Sequence, residues 1–266
     1  MTLLNAVKEF FFKQRYVYFL PKKLRLKLLN LKKLKLYKTK TGNYFLPQFA
    51  LRDIIRSEII NNKIFDKKVY ETAKRYIKKD TIVLDIGANF GQLSVLFSKC
   101  KSNVEVYSFE ASKYICEILD KNKTINSANI RSFNNIVGNE TKQDQFIKKI
   151  NLSKFYTYGS NMIEKIDSNP HNMLEVEKIN SIKIDDISFD KKISLIKIDV
   201  QGYDLEVLKG AKKTILKNQV PVIFEYERDF ENNFNYTFNS FEKFIYEINY
   251  KIESKIDSSN YLIVPK

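Results

Sequence analysis

The sequence predicts a doubly wound α/β fold, in which helices cover both faces of a mostly parallel sheet. Apolar strand-like runs alternate with helical patterns through the middle of the chain. Two of these runs, residues 81–86 and 193–198, carry an acid at or just beyond their end and continue through a glycine turn into a helix. Ligands bind such folds at the carboxyl ends of the strands, so these two turns mark the expected site.

The N-terminal part is predicted to be a helical, basic extension. Residues 2–20 suit an amphipathic helix capped by Thr2, and Pro21 ends it. Residues 22–36 fit the helical and the strand periods only in part. The predicted division of the chain is an amphipathic extension at 1–50 and a main domain at 51–266, with a substrate-side insertion at 139–180.

Beyond the extension, strands and helices alternate. A helical region precedes the first strand, and two strands close the chain. The predicted helices lie at 51–77, 92–99, 113–121, 205–211 and 241–248, and the predicted strands at 81–86, 105–109, 130–137, 193–198, 222–225, 251–254 and 261–264.

The first glycine turn predicts adenosine binding. The strand at 81–86 continues through Gly87 to Gly91 at the start of a helix, and Glu110 ends the next strand. Glycine is placed where φ is positive or where a ligand approaches closely. A carboxylate at the tip of the second strand accepts hydrogen bonds from ribose hydroxyls. We therefore predict that Glu110 holds the ribose.

The glycine spacing favours S-adenosylmethionine over a dinucleotide. Dinucleotide sites carry Gly-x-Gly-x-x-Gly around a pyrophosphate, whereas this chain has Asp-x-Gly-x-x-x-Gly. We expect the amides from Gly87 onward to meet the methionine carboxylate. An ordinary strand-to-helix turn is the alternative explanation. The predicted cofactor contacts in this region are Asp85, Gly87, Ala88, Asn89, Gly91 and Glu110.

Three further candidates have two explanations each. Asp85 orients the methionine end of the cofactor or its loop, or else it caps the helix that starts near Asn89. Asn134 and Asn135 follow the third predicted strand, where they either meet the adenine edge or serve as turn residues.

Several segments together resemble the FkbM family of S-adenosylmethionine-dependent methyltransferases. They are IVLDIGANFG at 82–91, the strand ending at Glu110, and IKIDVQGYDLEVLKGA at 196–211, and PVIFEYE at 221–227 looks like the family's next strand. The resemblance covers about residues 50–230. It implies a Rossmann-like class I methyltransferase sheet, and it points to a sugar hydroxyl in a glycan, glycolipid or secondary metabolite as the methyl acceptor.

Three side chains are candidates for the base that a hydroxyl acceptor requires. Asp199 ends the fourth strand and serves as a base, as a ligand to a divalent ion or as an anchor for the methionine ammonium. His171 has the best intrinsic pKa for proton transfer, although a lone loop histidine is more often a surface residue. Glu225 ends the fifth strand and is the third candidate, or else it serves in capping or ion pairing. Asp199 and Glu225 alone do not define a metal site, so none is predicted.

The net charge of +15 is concentrated at one end of the chain. Residues 1–40 contain twelve Lys or Arg and one acid, Glu9. Leucines interleaved with basic side chains suit a surface of anionic lipids, but they also suit packing on the enzyme or a dimer contact. The sequence has no apolar run long enough to span a bilayer and no secretory signal pattern. Cys100 and Cys116 are expected to be buried thiols, so we expect a cytoplasmic location, peripheral on the inner face of the membrane.

Three functions remain open. The leading prediction is an O-methyltransferase for a sugar or lipid-linked glycan, with Tyr156, Tyr158 and Tyr203 suited to stacking on the sugar. An RNA methyltransferase with residues 1–40 as a phosphate-binding arm is the second. The core lacks an Asn/Asp-Pro-Pro-aromatic element, so nucleic acid is disfavoured. The third is a membrane- or partner-binding protein that keeps the cofactor fold without turnover.

Overall fold

The structure, a computed structural model, describes residues 32–148, 150 and 176–266. The strands described are β1 (Leu34–Thr39), β2 (Gly42–Pro47), β3 (Ile82–Ile86), β4 (Glu105–Phe109), β5 (Ile130–Phe133), β6 (Ile136–Val137), β7 (Lys142–Lys148), β8 (Val176–Ile182), β9 (Ile193–Ile198), β10 (Val222–Glu225), β11 (Tyr250–Lys255) and β12 (Asn260–Pro265). The helices described are α1 (Ile54–Ile60), α2 (Lys67–Tyr76), α3 (Gln92–Ser98), α4 (Lys113–Ile125), α5 (Asp204–Gly210), α6 (Lys212–Asn218), α7 (Glu231–Phe234) and α8 (Phe238–Glu247).

Seven strands form the central sheet, in the order β11-β12-β10-β9-β3-β4-β5. β3, β4, β5, β9 and β10 pair in parallel, whereas β12 runs antiparallel to both of its neighbours. Every residue of β3, β4 and β9 is buried, as expected for central strands covered on both faces. The predicted doubly wound α/β fold is confirmed.

The order of the strands places the site. The chain runs outward from β3 through β4 to β5, then returns and continues on the other side of β3 with β9 and β10. A crevice forms where the direction of winding changes, at the carboxyl ends of β3 and β9. These are the two strands whose turns carry the glycine motifs.

The described part of the N-terminal extension is a β-hairpin rather than a helix. β1 and β2 pair antiparallel from Leu34 to Pro47, and Tyr44 and Leu46 are completely buried in the core. The side chain of Asn122, in α4, accepts a hydrogen bond from the Phe45 amide at 2.6 Å and donates one to the Phe45 carbonyl at 3.2 Å, as a neighbouring strand would. The helix predicted at 2–20 lies outside the described residues.

Two predicted elements are broken in the structure. The helical region at 51–77 is two helices, α1 and α2, separated by a loop that ends at Asp66, whose φ is +52°. The strand predicted at 130–137 ends at Phe133, and β6 leaves the main sheet to join β7 and β8 in a three-stranded sheet. Both breaks bring loop residues to the carboxyl edge of the main sheet.

The other predicted elements agree with the structure to within a few residues. The insertion at 139–180 contributes β7 and the start of β8, and its residues 151–175 lie outside the described part of the chain. Among the described residues, no helix combines the length and the apolar character needed to cross a bilayer.

Candidate active site

A cavity of about 340 Å³ opens at the carboxyl ends of β3, β4, β9 and β10. Loops from both sides of the winding change contribute to its wall, and Phe65 and Asp66 from the loop before α2 close part of it. The cavity is strongly acidic: the charged side chains that line it, among the described residues, are Lys197 and the seven acids Asp66, Asp85, Glu110, Asp199, Glu225, Glu227 and Asp257.

Glu110 lies at the tip of β4 with its carboxyl group held from two directions. Oε2 accepts the amide of Asn89 at 3.0 Å, and Oε1 accepts the amide of Ser112 at 2.9 Å. Burial raises the pKa of Glu110 to about 7, although these amides act to lower it. Each carboxylate oxygen has a second acceptor position, which suits the two hydroxyls of a ribose.

The glycine loop has the predicted backbone shape but not the predicted free amides. Gly87 and Gly91 both have φ of +81°. The amides of Gly87 and Ala88 donate to Phe109 O, the Asn89 amide donates to Glu110, and the Gly91 amide donates to Ala88 O. In this structure the amides of Gly87, Ala88 and Asn89 donate to the tip of the next strand and the Gly91 amide donates within the loop, so their contact with the methionine carboxylate stays a prediction.

Asp85 is completely buried on the floor of the cavity. Its Oδ2 accepts the hydroxyl of Ser94 at 2.5 Å, and Ser108 donates in turn to Ser94 at 2.8 Å. The N-cap of α3 is Gly91, without a side-chain cap. This geometry argues against the capping explanation of Asp85, since its partner is a side chain inside the helix, and the role in orienting the cofactor or its loop stays a prediction.

Asp199 and Glu225 face each other from adjacent strands. Asp199 Oδ2 lies 3.2 Å from Lys197 Nζ, while Glu225 Oε1 accepts only the distant hydroxyl of Ser259, at 3.4 Å. Burial and the negative charges of Asp199 and Asp204 raise the pKa of Glu225. The pair therefore combines a carboxylate paired with a lysine and a carboxyl group that retains its proton.

Of the remaining candidates from the sequence, some line the cavity and others do not. Asn135 lines the cavity, whereas Asn134 lies outside it and donates to the carbonyls of Glu110 and Ala111, at 2.9 and 2.8 Å. Tyr203 does not line the cavity: it packs against Phe234, with ring centroids 5.5 Å apart, and its stacking on a sugar stays a prediction. The candidates that lie outside the described residues are His171, Tyr156 and Tyr158.

Three charged residues of the site were not singled out from the sequence. Lys197 is 3% exposed, and its ammonium contacts both Asp85 and Asp199. Asp66 and Asp204 face the same groups, and burial raises the pKa of each to about 7. A lysine two residues before Asp199 in an apolar strand was a usable signal, because alternate residues of a strand share a face.

The described residues contain no group of three or more His, Cys, Asp or Glu side chains arranged to hold a metal ion. The acids of the cavity are spread along its walls, and those with raised pKa values bind protons near neutral pH.

Comparisons with known proteins point to one family. The profile of the methyltransferase FkbM domain matches residues 85–252, more than half of the chain. A solved methyltransferase FkbM from Methylobacillus flagellatus is 19% identical over 70% of this chain and 43% of its own, with a TM-score of 0.44. This chain thus spans less than half the length of that structure. No curated protein matches the chain significantly.

Other solved methyltransferases are similar at lower identity. The precorrin-6y C5,15-methyltransferase from Geobacter metallireducens is 13% identical over 75% of this chain and 87% of its own, with a TM-score of 0.43. The tRNA (uracil-54, C5)-methyltransferase from Pyrococcus abyssi, in complex with S-adenosyl-L-homocysteine, is 9% identical over 87% of this chain and 42% of its own, with a TM-score of 0.44.

The profile match and the sheet order, with a glycine turn after β3 and an acid at the tip of β4, define an S-adenosylmethionine-dependent methyltransferase. The chain belongs to the FkbM methyltransferase family. The predicted cofactor is confirmed, and the cavity fits it: Glu110 has open acceptor positions for the ribose, and the acidic wall suits a cationic sulfonium.

Proposed function

We propose that this enzyme methylates a hydroxyl group of a sugar in a glycan, glycolipid or secondary metabolite. The observation that carries the proposal is the pair of carboxyl groups, Asp199 and Glu225, on the cavity wall opposite the expected ribose position. A hydroxyl group becomes acidic only as it attacks the methyl group, so methylation of a hydroxyl requires a base within hydrogen-bonding distance.

Asp199 is the proposed base. Its carboxylate pairs with Lys197, and its neighbour Glu225 holds a proton. Towards a hydroxyl group, Asp199 is therefore a proton acceptor and Glu225 a hydrogen-bond donor. Asp199 accepts the hydroxyl proton, while Glu225 donates a hydrogen bond that orients the acceptor. When bound, S-adenosylmethionine supplies the electrophilic methyl group, and the protein supplies alignment.

The acidic lining supports a sugar over a nucleic acid as the acceptor. Carboxyl groups that line the cavity, among them Asp66, Glu227 and Asp257, offer acceptor atoms to neutral hydroxyls. The same groups repel a phosphate backbone at close range. The basic residues that attract nucleic acid in the second hypothesis are concentrated instead in residues 1–40.

We further propose that residues 1–40 hold the enzyme on the inner, cytoplasmic face of the membrane, close to a lipid-linked acceptor. The support is the sequence itself, with twelve basic residues, one acid and interleaved leucines. Anionic lipids attract such a segment with about 1 kcal/mol per basic residue near the surface. In this proposal the extension at 1–50 precedes a methyltransferase domain at 51–266.

Methyl transfer from isotope-labelled S-adenosylmethionine tests the acceptor. The full chain is incubated separately with a panel of sugars and lipid-linked glycans and with total RNA. We expect label in a sugar ether, and Asp199→Asn is expected to lower kcat by a factor of about 10² to 10⁴, as for loss of a base.

Asp190→Asn is the matched control, because Asp190 is exposed and does not line the cavity. It is expected to retain wild-type turnover. Label in RNA and in none of the sugars would support the nucleic-acid hypothesis instead. An Asp199→Asn enzyme as fast as the wild type would remove Asp199 from the role of base.

A further inference from the structure

Lys197 is a buried cation at the centre of an acidic site. It lies in β9, among apolar residues, and is 3% exposed. Its ammonium donates to the carbonyl of Gly87 at 3.1 Å and lies 3.2 Å from Asp199 Oδ2 and 3.5 Å from Asp85 Oδ1. Gly87 O and Asp199 Oδ2 lie at hydrogen-bonding distance from the ammonium, whereas Asp85 Oδ1 is a charge contact without a hydrogen bond.

These partners belong to the two loops that meet where the winding of the sheet changes. Asp199 N donates to Ile86 O at 3.0 Å. A Cβ atom on Gly87 would lie 1.8 Å from Asp199 O, so the two backbones are in direct contact. Lys197 therefore cross-links the glycine loop of β3 to the end of β9 at the point of closest approach.

Stability alone does not explain a lysine at this position. A buried ion pair loses much of its Coulomb energy to desolvation, and a well-packed apolar side chain often serves stability equally well. The lysine instead faces acids from every surrounding element: Asp85 on β3, Asp199 after β9, Asp66 before α2, Glu110 after β4 and Asp204 at the start of α5.

We propose that Lys197 is a positioning residue of this site, which fixes the Gly87 loop against Asp199 and supplies a positive charge that favours the carboxylate form of Glu110. The proposal rests on the assignment of Glu110 to the ribose and of Asp199 to the acceptor.

The charge of Lys197 has a consequence for cofactor affinity. Burial raises the pKa of Glu110 to about 7, and Lys197 acts to lower it. Glu110 accepts hydrogen bonds from both ribose hydroxyls only as a carboxylate. Without the lysine, Glu110 stays protonated up to a higher pH. The pH range in which the cofactor binds weakly therefore extends from acidic pH to neutral and slightly alkaline pH.

Calorimetric titration with S-adenosylhomocysteine between pH 6 and pH 9 tests the proposal. For Lys197→Met we expect affinity at pH 7 about fivefold below wild type, approaching tenfold at pH 6 and shrinking towards pH 9, equivalent to a displacement of about one pH unit. Lys197→Arg keeps the charge and is expected to restore the wild-type pH profile. Lys191→Met, outside the cavity, is the matched control and is expected to bind like the wild type.

A melting curve recorded for each variant separates folding from binding. If Lys197→Met does not fold, Lys197→Gln decides, because its amide still donates to Gly87 O but carries no charge. A wild-type profile in the uncharged variant, or a deficit that is the same at every pH, overturns the proposal. These titrations need no acceptor, so a wild type that binds the cofactor product but methylates no sugar would refute the proposed function alone.

Discussion

At the scale of single residues, the site contains carboxyl groups in different protonation states. Glu110 and Glu225 both end strands of the same sheet, and burial raises the pKa of both. Glu110 is held by two backbone amides, which favour its charged form, whereas Glu225 faces the negative charge of Asp199. Their surroundings therefore suit Glu110 for accepting ribose hydroxyls and Glu225 for keeping a proton.

The raised pKa of Glu225 predicts a pH-dependent stability. The folded state binds this proton more tightly than the unfolded chain, so Glu225 destabilises the fold increasingly as the pH rises above its ordinary value of 4.5. Glu225→Gln removes the titration. We expect the melting temperature of the variant, relative to wild type, to rise by about 8 to 16 °C between pH 5 and pH 8.

Thermal unfolding at the two pH values measures this difference, with the cofactor absent. Glu242→Gln, on the exposed side of α8, is the control and is expected to show the same difference from wild type at both values. A Glu225→Gln difference that does not change with pH would contradict the raised pKa of Glu225.

The acids at the strand ends can be predicted from the sequence. The charged groups that tertiary packing adds to the site cannot. Asp85, Glu110 and Asp199 were predictable, because parallel strands end at one edge of a sheet. Asp66 was not, since it reaches the cavity through the loop between α1 and α2, in a region where the pattern predicted one continuous helical stretch. Lys197 was visible as a charge in an apolar strand, but only its contacts reveal its partners.

At the scale of secondary-structure elements, the two glycines of the β3 turn have the same backbone conformation and different surroundings. Gly87 and Gly91 both have φ of +81°. A Cβ on Gly87 would meet the backbone of Asp199 at 1.8 Å, whereas one on Gly91 would meet the side chain of Leu119 at 3.1 Å. Only the first contact fixes the distance between two strands of the site.

This difference predicts unequal effects of alanine. Gly91→Ala is expected to cost about 1 to 2 kcal/mol of stability, the cost of a left-handed conformation, and to bind S-adenosylhomocysteine. Gly87→Ala pushes the β9 loop away and is expected to lose binding or to unfold. Melting curves and calorimetric titration of both variants measure this. Equal effects would show that contact with Asp199 does not hold the site together.

The boundaries of a strand can be predicted from the sequence where all its residues are buried. They cannot be predicted where the backbone is held by side chains that are distant in sequence. β3, β4 and β9 are buried throughout, so their apolar runs read clearly. The hairpin at 34–47 was not predicted, because its interleaved Leu and Lys fit two periods. Its backbone is held by Asn122 and Asn126, from a helix more than seventy residues away.

At the scale of the whole molecule, charge is unevenly distributed along the chain. The sequence carries a net charge of +15, yet the cavity is lined by seven acids and one lysine among the described residues. The acidic cavity suits the cationic sulfonium of the cofactor. Composition alone could not predict the acidic cavity, because its acids come from segments far apart in sequence.

The most direct test of the account is calorimetric binding of S-adenosylhomocysteine to wild type and to Glu110→Gln at pH 8. We predict micromolar affinity for the wild type. For the folded variant we predict an affinity lower by about 100-fold, since hydrogen bonds to a charged acceptor contribute about 1.5 to 3 kcal/mol each. A folded wild type that does not bind, or a variant that binds equally well, would contradict the assignment of Glu110 to the ribose.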